Sequence, residues 1–168
     1  MPATAAKSAH DKVAIDVVVE SALWSAHAGA EDAVRRAIEA ASVFESRIGE
    51  IAVLLTNDAT IRAMNAQWRE IDKPTNVLSF PAVKSTIAAD TAPLGDIAIA
   101  CETVAREAAT ESKAFLDHLA HLSIHGYLHL LGFDHEADSE AERMEQLETR
   151  ILASIGIADP YADRTRLD

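Results

Sequence analysis

The order of apolar and polar positions predicts strands and helices that alternate through the first half of the chain. Residues 13–19 are mostly β-branched, which is typical of a strand. A helix is predicted over 30–44, because apolar side chains recur there three and four positions apart: Val34, Ala37, Ile38, Ala41 and Phe44. A second strand is expected over 48–56, and Asn57 or Asp58 is a suitable N-cap for the helix that follows it.

The second half of the chain is expected to complete the sheet and then to continue as helices. A turn, a short strand, an irregular loop and a fourth strand are predicted over 72–76, 77–80, 82–93 and 95–100. From Glu102 nearly to Ile155 the pattern is helical, with breaks near Ser112 and at Gly132. This order predicts an α+β fold, in which helices pack on one mixed sheet of about four strands. The pattern leaves the order of the strands in the sheet open.

The two ends of the chain do not share this pattern. Residues 1–12 are rich in alanine and polar side chains and have no apolar stretch like that of a secretory signal, so a disordered leader is expected. One domain is expected over 13–161, since a chain of 168 residues suits a single hydrophobic core. Residues 162–168 are then a tail.

Composition narrows the class of protein. The longest apolar stretches, such as 51–55, are far shorter than the roughly 20 residues that span a bilayer, so no membrane partner is expected. The single cysteine, Cys101, cannot form an intramolecular disulfide, which suits a reducing compartment. We therefore expect a cytoplasmic protein.

The net charge of −12 argues against general affinity for nucleic acid, but the charge is unevenly distributed. Residues 57–84 carry four basic and three acidic side chains, a net charge of +1. Residues 136–148 carry one basic and six acidic side chains, a net charge of −5, and are expected to form a helix with a solvated face. The overall charge therefore does not exclude a local site for an anion.

Five of the seven histidines lie within residues 118–135. His125 and His129 are four positions apart, so on a helix both rings can reach one point. Gly132 can end that helix in a left-handed conformation, and the chain can then turn back so that His135 supplies a third nitrogen. Three histidines with a fourth position open describe a catalytic zinc site, with one zinc ion per chain.

The spacing HxxxHxxGxxH is similar to that of the metzincin metallopeptidases, with one difference in chemistry. Those enzymes have a glutamate, their general base, directly after the first histidine, whereas this chain has Gly126. A site of this kind must use another base or a substrate that carries its own nucleophile.

Three segments together resemble the YbeY family of bacterial endoribonucleases and rRNA maturation factors. They are HGYLHLLGFDH at 125–135, MNAQWREIDKPTNVLSFP at 64–81 and LGDIAIA at 94–100, and the resemblance extends over about 13–161. It implies a zinc-dependent endoribonuclease specific for single-stranded RNA, which acts in 16S rRNA 3′ end processing and in ribosome quality control. The implied partners are rRNA and the ribosomal small subunit or its proteins, and DNA is not expected as a substrate.

By the same resemblance His125, His129 and His135 are the zinc ligands, and Arg69 is a catalytic arginine of the RNA-facing cleft. A guanidinium group suits that role because its planar set of donors matches phosphate oxygens. Four further residues are candidates for supporting the metal site or lining the cleft, with ordinary structural roles as the alternative: Asp96, His121, Asn76 and Ser79. Asp96 in particular could hold the second nitrogen of a zinc histidine.

Three functions thus remain open at the level of sequence. The first is a zinc endoribonuclease, the second a relative of the zinc peptidases, and the third a ribosome assembly factor whose zinc is structural. Gly126 argues against the peptidase. The acidic composition suits the assembly factor, because it favours recruitment through a basic ribosomal protein.

Overall fold

The described part of the chain forms one sheet of four strands with mixed direction. A computed structural model describes residues 13–83 and 92–162. Its strands are β1 (Val13–Val19), β2 (Gly49–Thr56), β3 (Val77–Pro81) and β4 (Pro93–Ala100), which lie in the order β1-β2-β4-β3. β2 is parallel to both β1 and β4, whereas β3 is antiparallel to β4 and forms one edge of the sheet. The expected single α+β domain with a four-stranded mixed sheet is confirmed.

Within the described residues, five α-helices surround this sheet. They are α1 (Ala30–Phe44), α2 (Asp58–Arg69), α3 (Cys101–Thr110), α4 (Phe115–Leu130) and α5 (Asp138–Ser154). A 3-10 helix over Ala22–Ala26, which the sequence pattern did not predict, connects β1 to α1. Asn57 is the N-cap of α2, and its side chain accepts a hydrogen bond of 2.8 Å from the Thr60 N–H. Among the described residues, no helix is both long and apolar enough to cross a membrane.

The two faces of the sheet are covered by different helices. α4 lies against one face, where its Gly126 packs on Ile97 of β4, and α1 and α5 pack around α4 to form the main core. α2 covers part of the other face through a smaller apolar cluster of Ile61, Leu78, Ala98 and Ala100. Since side chains alternate along a strand, neighbouring residues of β4 face different helices.

Some of the expectations for the ends of the chain and for the loop cannot be compared with the structure. The leader at 1–12, most of the loop expected at 82–93 and all of the tail except Ala162 lie outside the described residues.

Candidate metal centre and cleft

Three histidines converge at the end of α4. One ligand nitrogen from each of His125, His129 and His135 lies within 4.8 Å of the others. His125 and His129 are one turn apart on α4, while His135 lies in the loop that leads to α5. Because α4 is apolar on the side that meets the sheet, its histidines at 121, 125 and 129 share the less buried side. The convergence of His125, His129 and His135 agrees with the geometry expected from their spacing.

Helix α4 ends in a Schellman motif, from which the following loop begins. The Phe133 N–H donates to the Leu128 carbonyl at 3.1 Å, and the Gly132 N–H donates to the His129 carbonyl at 3.0 Å. Gly132 has a φ of +98°, which a residue with a side chain adopts only with strain. The motif brings the Phe133 carbonyl to 2.9 Å from His129 Nδ1. The helix ending thus orients one of the histidines as well as turning the chain back.

A fully buried carboxylate orients the other helical histidine. Glu148 of α5 is 0% exposed, and its Oε2 lies 2.7 Å from His125 Nδ1. Its Oε1 accepts from the Tyr161 hydroxyl and lies 2.6 Å from His121 Nε2. Burial raises the pKa of Glu148, but the hydrogen bonds from His121 and His125 outweigh it and bring the pKa to about 2. The side chain is therefore an anion at neutral pH.

These contacts assign the proton positions of His125 and His129. A carbonyl oxygen and an ionised carboxylate only accept hydrogen bonds, so both rings carry their proton on Nδ1 when neutral. The lone pairs of their Nε2 atoms then face each other at 3.0 Å. Two lone pairs at that distance repel one another unless a cation lies beside them.

The facing Nε2 atoms of His125 and His129 make a donor set that fits a zinc ion. Tetrahedral zinc with Zn–N bonds of 2.0–2.1 Å places its nitrogen ligands about 3.3 Å apart, close to the separation of the two Nε2 atoms. Burial and the neighbouring His125 and His135 lower the pKa of His129, which favours the neutral ring that a metal needs. His135, with its side chain 56% exposed, would complete the set from the solvent side.

A cleft of about 570 Å³ opens beside the three histidines. One wall is the edge strand β3 with the turn before it, and the other is the end of α4 with the loop that follows. Among the described residues that line it, Arg69 carries the one guanidinium or ammonium group, whereas Asp134 and Glu136 are acidic. Arg69 Nη2 donates to the Ser79 carbonyl at 3.1 Å, across the edge of the sheet. The cleft therefore combines a candidate metal site with a single cation.

The end of α2 determines where Arg69 lies. Glu70 follows it with a φ of +61° and ends the helix. The buried Asn65 donates from its side chain to the Lys73 carbonyl at 2.9 Å, which holds the next turn against the helix. This turn leads into β3, so the chain brings Arg69 back over the strand that follows it.

The structure brings three of the four remaining candidates to this region. Ser79 and Asn76 line the cleft; the Ser79 hydroxyl donates to the Gly126 carbonyl at 2.9 Å, and the Asn76 side-chain amide donates to Glu107 at 3.0 Å. His121 lies behind the metal centre, where it shares Glu148 with His125. Through these hydrogen bonds all three residues have structural roles.

Asp96 is placed differently from what was expected. Its neighbours Gly95 and Ile97 in β4 face α4, so the Asp96 side chain points from the opposite face of the sheet, where it is exposed. It does not hold His125 or His129, because Glu148 and the Phe133 carbonyl occupy the Nδ1 atoms of these two histidines.

Glu148 was missed because the acidic stretch was interpreted as a solvated helix face. The buried positions of α5 are Met144, Glu148, Ile151 and Leu152, which follow the helical spacing of a core-facing side. The available signal was an acidic residue within this apolar series. An ionisable side chain at such a position needs buried partners, which here are histidines.

Gly126 has a steric role in the structure. A Cβ atom there would lie 3.1 Å from Ile97 Cγ2 and 3.2 Å from Ser79 Oγ. A glutamate at 126 would therefore point at the side chains of β3 and β4. Any side chain at this position would require Ile97 and Ser79 to shift, so the close packing of α4 on β3 and β4 disfavours the general base of a metallopeptidase here.

Comparisons with known proteins agree on one family. The family model described as Endoribonuclease YbeY matches residues 19–156. The Endoribonuclease YbeY of Bradyrhizobium sp. (strain BTAi1) is 56% identical over 160 residues, which cover 91% of this chain and 95% of that protein. That of Rhodopseudomonas palustris (strain BisA53) is 55% identical over 161 residues, which cover 92% and 94%.

A solved structure has the same fold. The solution structure of a protein from Thermotoga maritima superposes with a TM-score of 0.58 at 22% identity, over 91% of this chain and 93% of the other.

Proposed function

The chain belongs to the Endoribonuclease YbeY family, and from this premise we propose that it is a zinc-dependent endoribonuclease that cleaves single-stranded RNA. The observation that carries the zinc dependence is the convergence of three histidine nitrogens within 4.8 Å, beside a cleft that contains Arg69. We extend the proposal to 16S rRNA 3′ end processing and ribosome quality control in the cytoplasm, with the ribosomal small subunit as partner.

The residues of the cleft divide the work of phosphodiester cleavage. His125, His129 and His135 would hold the zinc ion through neutral rings, which leaves the ion its full charge. When bound, zinc supplies Lewis acidity toward a phosphate oxygen and lowers the pKa of bound water. Arg69 offers donors to the phosphate oxygens on which negative charge grows in the transition state. The edge strand β3 forms one wall of the cleft, along which we expect the substrate to lie.

The charge of the chain favours recruitment to a particular RNA. With a net charge of −12, the protein as a whole repels a polyanion, while Arg69 provides one local contact inside the cleft. Binding through a basic protein of the ribosomal small subunit would overcome that repulsion. A ribosome assembly factor with a structural zinc would use the same recruitment, so only an assay of cleavage separates the two functions.

The test combines a metal measurement with cleavage of defined nucleic acids. Purified protein is assayed for zinc by mass spectrometry and is then incubated with one end-labelled sequence as single-stranded RNA, double-stranded RNA and single-stranded DNA. We expect about one zinc ion per chain, internal cleavage of the single-stranded RNA and loss of cleavage when a chelator removes the metal. Stoichiometric zinc without cleavage of any RNA would instead support the assembly factor.

The buried carboxylate gives a prediction of its own. Replacing Glu148 with glutamine keeps the shape of the side chain but removes the charge and one of the two acceptors that His121 and His125 share. We expect zinc affinity to fall by about 10- to 100-fold, as is usual when the partner of a metal-bound histidine is lost. Competition with a chromogenic chelator measures this change. Glu140→Gln, at an exposed position of the same helix, is the matched control, and equal affinity of both variants would contradict the role.

A further inference from the structure

Trp68 is an exposed tryptophan beside the cleft. Of the two tryptophans in the chain, Trp24 is 3% exposed and Trp68 is 66% exposed. Tryptophan is one of the most buried residues on average, because its large apolar ring gains most from leaving water. Ile71, which follows in the next turn, is 49% exposed and extends the apolar surface. An indole in this position lacks the burial that would explain it as a core residue.

The indole is held by a neighbouring aromatic ring. Its centroid lies 6.4 Å from that of Phe80, with the planes at 68°. In this arrangement the edge of one ring meets the face of the other. Such a contact supports the indole from the protein side while most of its surface remains in solvent. The ring is thus both accessible and supported.

This aromatic pair lies at the edge strand β3, next in sequence to residues that line the cleft. Trp68 directly precedes Arg69, whose guanidinium donates to the carbonyl of Ser79. Ser79 directly precedes Phe80, and its hydroxyl donates to the carbonyl of Gly126, the neighbour of His125. Phe80 itself packs with the apolar cluster under α2, so the aromatic pair lies on the α2 side of β3. Arg69 crosses the exposed edge of β3 and connects this side to the cleft.

The charge around Trp68 is closer to neutral than that of the chain as a whole, which is −12. Asp72 is paired with Arg62 at 2.8 Å, and Asp58 is paired with Arg106 at 2.9 Å. Around the tryptophan this leaves Arg69 and Lys73 against Glu70 and Asp96, the residue opposite Phe80 on β4. A phosphate chain that enters here meets less repulsion than it would beside the acidic residues of α5.

We propose that Trp68 is a stacking platform for an unpaired base of the RNA strand that occupies the cleft. The inference rests on the proposed function and adds to it a contact that distinguishes single-stranded from double-stranded RNA. Every base has a face that can stack on an indole, whereas a base within a duplex is already stacked and paired. The platform therefore favours single-stranded substrate without selecting its sequence.

The first test compares steady-state cleavage by three zinc-loaded variants. Trp68→Ala is expected to raise KM for a single-stranded RNA by about 5- to 150-fold, the range that one stacked base is worth. Its kcat is expected to stay within about threefold of the original, because the platform binds the strand away from the reacting phosphate. Trp68→Phe should recover most of the affinity. Val43→Ala, which truncates a side chain that is 73% exposed on α1, is the matched control and should leave KM unchanged.

The second test reads the indole itself. Mixing the protein with RNA in a stopped-flow fluorimeter should quench tryptophan fluorescence before cleavage, and this change should vanish in Trp68→Phe, which retains the buried Trp24. Two results together would overturn the proposal and leave the nuclease function intact. They are a KM of Trp68→Ala within twofold of the original, and no change in the tryptophan fluorescence of the original protein on mixing with RNA. If the original protein cleaves no RNA, the proposed function fails, and the quenching alone then decides whether Trp68 binds a base.

Discussion

Replacing His129 with alanine is expected to remove the zinc ion and to reduce RNA cleavage by at least about 10³-fold. His129 supplies the central nitrogen of the three, and its Nε2 lies 3.0 Å from that of His125. With one of three ligands gone, the remaining two bind zinc too weakly to retain it through purification. The loss in rate follows because a bound metal supplies several kcal/mol of stabilisation to the transition state.

The measurement is zinc content and single-turnover cleavage on the same preparation. His27→Ala is the matched control, since this histidine stacks on Phe115 and lies outside the cluster. Circular dichroism shows whether each variant is folded. A folded His129→Ala protein that retains one zinc ion per chain would place the metal elsewhere and remove the basis of the proposed mechanism.

The helices and strands could be predicted where the residues of one segment alone show its periodicity or composition. The helix over 30–44 and the strand over 13–19 have the predicted limits, because helix α1 buries one continuous side and β1 is rich in β-branched residues. The order of the strands could not be predicted, since the pairing of β4 between β2 and β3 depends on contacts between distant segments. The three histidines could be found because two of them are one helical turn apart and the third follows the helix-ending glycine.

The support of the site was harder to predict than its ligands. Glu148 comes 23 residues after His125 and reaches it only because α5 packs beside α4. Asp96 could not be assigned to a face of β4, because Gly95 has no side chain to show the alternation and the covering helix was unknown. Both errors concern which side of an element meets another element, and that information lies in tertiary packing.

Replacing Arg69 with glutamate is expected to reduce single-turnover cleavage of single-stranded RNA by about 10²- to 10³-fold, the usual effect of losing one positioned donor to a developing negative charge. Zinc content and melting temperature should stay close to the original. The side chain is exposed and makes one described hydrogen bond, to the Ser79 carbonyl, which is worth about 1 kcal/mol.

Two comparisons separate the contribution of geometry from that of charge. Arg69→Lys keeps the charge but loses the planar pair of donors, so it should recover only part of the rate. Arg36→Glu makes the same change of two charge units at an exposed position of α1, and its rate should stay near the original if the effect is local to the cleft. If Arg36→Glu slows cleavage as much as Arg69→Glu does, general repulsion between an acidic protein and RNA accounts for the loss. If Arg69→Glu loses its zinc or unfolds, the arginine supports the structure of the cleft instead of the scissile phosphate.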